Sequence, residues 1–292
     1  MKKTILTLTC AFFSFCGFSF DWPQKETNSD SFYSYFGQLR GGTINSSLIF
    51  KDPSEVKAAD KGRITAIISD HSDDFGWFES ALGNSVIISH EDGLSTVYAN
   101  LDDSSISKEI EEKQFVESGE FLGTSGNTGW QEGQSCLEFK VFDSKNNSAV
   151  NPRILMPRAG RELPLTMGTI TLTDKNGVSH NLLNERRLPA GKYYVYRTRQ
   201  NVAVPYKTIT AVNGATVENI SYDVLKESNG KLCVKGNEHY SIKEIYPDST
   251  KQLAGIVQLN KGSCTLTITI VNILNSASTI SYKLDILNFY CF

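Results

Sequence analysis

The 292-residue chain is 40% hydrophobic and 21% charged, enough for two globular domains of ordinary size and unlike a disordered polypeptide. Its formal net charge of -3, with lysines and arginines scattered along the chain, leaves no basic excess to neutralise phosphates, so nucleic acid is excluded as the expected partner. Lys2 and Lys3 precede an uncharged, mostly apolar stretch from Ile5 to Phe20, and the chain turns polar at Asp21. That layout predicts a secretory signal peptide over residues 1–20. The stretch is short for a bilayer core of about 30 Å, so no stable membrane span is expected after cleavage. Neither Cys10, after Thr9, nor Cys16, after Phe15, has the small preceding residue of a lipid-attachment site. The expected location is the periplasm or the extracellular envelope.

Beyond Asp21 the dominant pattern is short β-branched and aromatic runs separated by Gly, Asn and Asp turns, which predicts an all-β protein. The runs are Arg63 to Ile68, Ser85 to His90, Ser95 to Leu101, Leu137 to Phe142, Gly168 to Thr173, Gly191 to Arg197 and Cys264 to Ile273. One charged, helix-like piece runs from Ser105 to Lys113. Pro152, Pro157, Gly160 and Pro164 interrupt regular pairing, and the expected division is a first domain over 21–158 and a second over 159–292. Turns such as Asp174-Lys175-Asn176-Gly177 and Asn213-Gly214 suit a β-sandwich in the second domain, and Leu188 to Val195 is similar to an edge of immunoglobulin-like extracellular modules. Four cysteines remain after the signal segment, namely Cys136, Cys233, Cys264 and Cys291. An oxidising compartment allows a Cys233–Cys264 bridge, and four buried thiols is the competing reading.

In the first domain, Gly83 to Leu101 reads as two alternating strands joined by Glu91-Asp92-Gly93, with Gly93 suited to a positive φ. Phe115 to Gly129 runs a strand into a Gly-rich loop, and Leu137, Phe139 and Val141 alternate before Asn151-Pro152. With Phe36-Gly37 and Gly62 to Ala66, these segments resemble, in order, the LytM-type zinc peptidases of family M23 over roughly Phe36 to Pro152. The resemblance implies the family's duplicated-hybrid-motif-like β-sheet domain and a zinc held by His and Asp four residues apart near its start. The third ligand is the second His of a His-x-His strand, and another His in Thr-x-Tyr-x-His assists catalysis.

Each of those positions departs from the pattern. Thr96-Val97-Tyr98-Ala99-Asn100 puts Asn100 in the catalytic His position, Cys136-Leu137-Glu138 replaces His-x-His, and Asn45 and Ile49 fall in the His and Asp slots. An amide and an aliphatic chain do not hold zinc, whose catalytic sites need about three protein ligands and one open position. A Cys136 nucleophile lacks an imidazole to activate it. His90 reads as a structural strand residue, and His71, His180 and His239 have no ligand partner at metal spacing. The expectation is therefore a degenerate domain with no catalytic residue, no bound metal and no cofactor. Asn45, Ile49, Asn100, Cys136 and Glu138, with Tyr98 and Trp130 as aromatic contacts, would line a groove that binds peptidoglycan or regulates a cell-wall hydrolase. The competing reading is a divergent zinc metalloendopeptidase that cleaves peptidoglycan cross-bridges.

Overall fold

The computed structural model describes residues 20–25, 27–69, 80–102, 104–129, 136–201 and 203–288. Residues 1–19, which the sequence reading assigns to a signal segment, and His71, Trp130 and Cys291 lie outside them. Phe20, read from the sequence as the end of the signal segment, belongs to the folded core. Its side chain is 2% exposed and packs 4.9 Å from the His90 ring, and its N–H donates to Leu155 O.

The first half is built on antiparallel strands in the order Phe115–Val116, Gly62–Ile68, Asn84–Ser89, Leu94–Leu101 and Glu138–Asp143. The central hairpin turns where the sequence places it. Gly93 takes φ 88°, His90 N–H donates to Leu94 O, and the Asp92 carboxylate accepts from Leu94 N–H. Val86, Ile88, Tyr98, Phe139 and Val141 alternate onto one buried face. One end of Glu138–Asp143 pairs with Leu48–Phe50 and the other with Ser148–Val150. The helix is Lys108–Glu112, capped by the Ser107 side chain accepting from Ile110 N–H and anchored by buried Ile110.

The second half is a sandwich of two sheets. Ser179–Asn181, Ile170–Asp174, Gly191–Thr198 and Lys251–Leu259 form one. Arg187–Pro189, Ala277–Leu287, Gly262–Val271, Lys207–Val212 and Ala215–Ser228 form the other. Ile170, Leu172, Val195 and Val257 from the first meet Leu266, Ile268, Leu284 and Ile286 from the second in one core cluster. The paired strands Gly262–Val271 and Ala277–Leu287 alternate cleanly, with Thr267 and Thr269 hydroxyls bonded to Ser281 and Thr279 on the outer face.

The two halves are not beads on a linker. Ser148–Val150 pairs with Val224, Leu225 and Lys226 of the long strand Ala215–Ser228, so the first half's sheet runs edge to edge into a sheet of the second. A single hydrophobic cluster spans both, including Phe36 and Phe139 from the first half with Tyr222, Tyr246 and Leu253 from the second. A buried polar seam lies along it. Tyr246 hydroxyl donates to Gly37 O at 2.6 Å, Gln38 Nε2 to Asn201 O at 2.8 Å and Gln252 Nε2 to Tyr222 hydroxyl at 2.9 Å. Arg197, 1% exposed, donates to Gln252 Oε1 at 2.6 Å and to Thr166 O. Gly37 sits at φ 84°, and a Cβ there would lie 2.7 Å from the Tyr222 ring.

The structure corrects the disulfide reading: Cys233 and Cys264 are free, buried thiols. Cys233 pairs opposite Lys226 near one end of Ala215–Ser228. Cys264 lies by the turn at the other end, where Thr265 and Asn213 exchange hydrogen bonds. About ten residues of strand at roughly 3.3 Å each separate them. A disulfide needs Cα atoms about 5.5 Å apart.

Candidate functional site

The strand register brings the candidate positions together. Ile49 lies directly opposite Glu138, and Glu138 directly opposite Ala99, the neighbour of Asn100. Opposed residues of antiparallel strands project from the same face, so Ile49, Glu138 and Ala99 share one face at the middle of the sheet. A slip of one residue would turn Ile49 away from this face.

What the side chains do there is structural. Asn45, 6% exposed, has its Nδ2 within 3.0 Å of Ser34 Oγ, Tyr35 O and Ser47 O, while its Oδ1 accepts from the Ser47 N–H and hydroxyl. Its own N–H donates to Gln38 O, and its carbonyl accepts from Gly37 N–H. Asn100 is fully buried in the left-handed region at φ 64°, which Asn tolerates better than most residues. Its Nδ2 donates to Gly126 O at 2.8 Å and to Cys136 O, and its Oδ1 accepts from Gly129 N–H at 2.7 Å. One amide thus ties the end of strand Leu94–Leu101 to the Gly-rich loop and to the start of the next strand. The loop needs its glycines for this approach, since a Cβ at Gly126 would lie 2.4 Å from the Asp102 backbone.

Ile49 is wholly buried and apolar. Glu138, 8% exposed, is ion-paired with Lys140 Nζ at 2.9 Å. Cys136 is 1% exposed with Sγ 3.8 Å from Lys51 O; burial pushes its thiol pKa up, against a smaller opposing effect of Arg40. A raised pKa keeps it protonated and a poor nucleophile. Tyr98 is not a groove contact. It is completely buried against Phe139, its hydroxyl accepts from Ala59 N–H at 2.7 Å, and burial pushes its pKa up to about 12. His90 locks the hairpin: Nδ1 faces Lys61 O at 2.8 Å and Nε2 faces Thr96 Oγ1 at 2.9 Å, which sets the proton on Nδ1. His180 pairs with Glu185 at 2.8 Å.

The donor set fails the zinc test on its chemistry. The three ligand positions offer a saturated amide, an aliphatic chain and a carboxylate already neutralised by a lysine. Among the described residues, no three His, Cys, Asp or Glu side chains form a group able to hold a metal ion. Donors of this kind support no metal-dependent step.

The residues that sequence reasoning missed are those of the seam. Arg197, Tyr222, Tyr246 and Gln252 occur in ordinary strand sequence, and only Gly37, needed for its positive φ beside Tyr222, carried a local signal.

The profile of peptidase family M23 matches residues 47–152, and a second family profile matches residues 164–287. An uncharacterized protein of Treponema pallidum (strain Nichols) is 34% identical over 118 residues, covering 38% of this chain and 78% of that protein. Among solved structures, a mutant catalytic domain of the prophage-encoded M23 protein EnpA from Enterococcus faecalis shares 23% identity at a TM-score of 0.33, covering 41% of this chain and 87% of that one. The SpoIIIAH and SpoIIQ complex shares 20% identity at a TM-score of 0.35, covering 47% of this chain and 99% of that one. Residues 47–152 form a peptidase family M23 domain.

Proposed function

We propose that the chain is an exported, non-catalytic M23 protein of the cell envelope that binds peptidoglycan or a cell-wall hydrolase and cleaves neither. The observation that carries this is the redeployment of Asn100, whose amide is spent on Gly126, Gly129 and Cys136 backbone groups where the family has a catalytic His. Because Asn45, Ile49, Asn100, Cys136 and Glu138 are 0–8% exposed, ligand contact falls to the groups around them. Arg40 and Asp52, whose charges act on Cys136, and Lys51, whose carbonyl faces its thiol, are the nearest candidates. Export rests on the Lys2, Lys3 and Ile5-to-Phe20 pattern, and the buried Phe20 side chain supports a cleavage point ahead of it.

The test is metal content by elemental analysis on protein purified without chelator, together with release of soluble peptides from purified sacculi. The expected result is no stoichiometric zinc, no released peptide, and co-sedimentation with sacculi or a changed rate of an added hydrolase. One zinc per chain with peptide release would reinstate the zinc metalloendopeptidase. Absence of both binding and regulation would remove the envelope-binding role.

A further inference from the structure

Where the two halves meet beside the connecting segment, a cavity of about 360 Å³ opens to solvent. Trp22, Ile154 and Arg158 line it from the first half and the connection, and Tyr206, Lys207 and Leu274 from the second. Its walls are held in place. Trp22 Nε1 donates to Pro157 O at 2.8 Å, Arg158 Nη1 donates to Ile273 O at 3.0 Å, and Tyr206 N–H donates to Val271 O at 2.8 Å.

The charge inside is one-sided. Of the lining residues, Glu162 is the one carboxylate, and it is bound to the half-buried Arg153, whose guanidinium also lies over the Phe32 and Tyr35 rings. That leaves Arg158 and Lys207, neither of which has an ion-pair partner among the described residues. Lys207 Nζ lies 5.4 Å from the centre of the Tyr206 ring, and Asp223, which acts on Tyr206, does not line the cavity. In a chain of net charge -3, two unpaired cations facing one aromatic-walled cavity is an arrangement suited to an anion. The guanidinium of Arg158 spends one nitrogen on Ile273 O and keeps its other edge for a planar two-oxygen acceptor, the geometry of a carboxylate. Trp22, Ile154 and the exposed Leu274 offer apolar surface for what the anion is attached to.

We propose that this cavity is a binding site for a carboxylate borne on a compact apolar body, such as the C-terminal residue of a short peptide. The proposal is independent of the M23 positions, which it does not use. A ligand seated there would touch both halves at once.

The test is isothermal titration of residues 20–292 at low salt with N-acetyl-leucine, its neutral amide, acetate and inorganic phosphate. The expected result is saturable binding of the acid, with the amide about tenfold weaker or more. Lys207→Gln and Arg158→Gln each weaken the acid by a similar factor, and Leu274→Ser weakens N-acetyl-leucine but not acetate. The melting midpoint of each variant is compared with that of the parent, and Leu274→Ser keeps the test open should a strand variant misfold, since Leu274 is exposed. No saturable heat with the acid, or equal binding of acid and amide, would overturn the site. Phosphate binding as tight as the acid would overturn the carboxylate assignment.

Discussion

Two regions of this protein bury polar side chains, and they do so differently. At the M23 ligand positions the buried groups are the neutral amides of Asn45 and Asn100, each closing hydrogen bonds to backbone within its own half. At the seam a cation, Arg197, is buried among neutral acceptors and the Tyr222 and Tyr246 hydroxyls, and its partners come from distant parts of the chain. Desolvation lowers the Arg197 pKa, a cost that the carbonyl and amide acceptors offset only as long as all are present. The lesson is that buried polar groups serve two ends here: in the first region they stabilise their own sheet, and at the seam they lie where the halves meet.

The comparison breaks first, and most strongly, at the seam. Arg197→Ala strands Gln252 Oε1 and Thr166 O and leaves a void, with an expected loss of about 3–5 kcal/mol in denaturant unfolding. A loss under about 1 kcal/mol would mean that Arg197 is not what holds Gln252 in place at the seam. The M23 positions come next. Asn100→His, which restores the family's residue, forfeits bonds to Gly126, Gly129 and Cys136, at about 2–4 kcal/mol. If Asn100→His combined with Asn45→His, Ile49→Asp and Glu138→His folds unchanged and takes up zinc, these positions were merely vacant.

Alkali should sharpen the likeness between the regions. Tyr98 in the first and Tyr222 at the seam are fully buried, and burial pushes both pKa values up to about 12. The folded values exceed the unfolded value of about 10, so their stabilisation is complete below pH 10 and is lost as pH rises from about 10 through 12. The expected cost is about 2–3 kcal/mol for each phenol ionised. Unfolding midpoints at pH 9 and pH 11.5 check it, and a flat profile would contradict the buried phenols. The smallest effect is on the thiols. Cys136, Cys233 and Cys264, all buried and with raised pKa values, should react with a thiol reagent far more slowly in native protein than in denaturant. Labelling of Cys233 and Cys264 after unfolding with no added reductant confirms that no bridge joins them.

The hairpin Asn84–Ser89 to Leu94–Leu101 was legible because alternation and Gly93 are local signals that agree. So was the M23 domain itself, carried by an ordered set of motifs. Tyr98 was misplaced because alternation says which residues share a face but not which face is covered. The Cys233–Cys264 pairing failed for a related reason: knowing that two residues lie in strands leaves open where along the sheet they fall. The merging of the halves was invisible in Ser148–Val150, a three-residue strand whose partner lies some seventy positions on. No local pattern encodes such a contact.

The hydrogen bond from Tyr246 to Gly37 joins residues 209 positions apart. A polypeptide emerging from its N-terminus makes Gly37 long before Tyr246, so the loop that holds Gly37 lacks this partner until the later residue appears. Until then Ser148–Val150 would present an unpaired edge, a template for pairing with the wrong neighbour. Order of synthesis and order of folding therefore diverge in this chain, and the nascent first half is the stage at which it most needs protection.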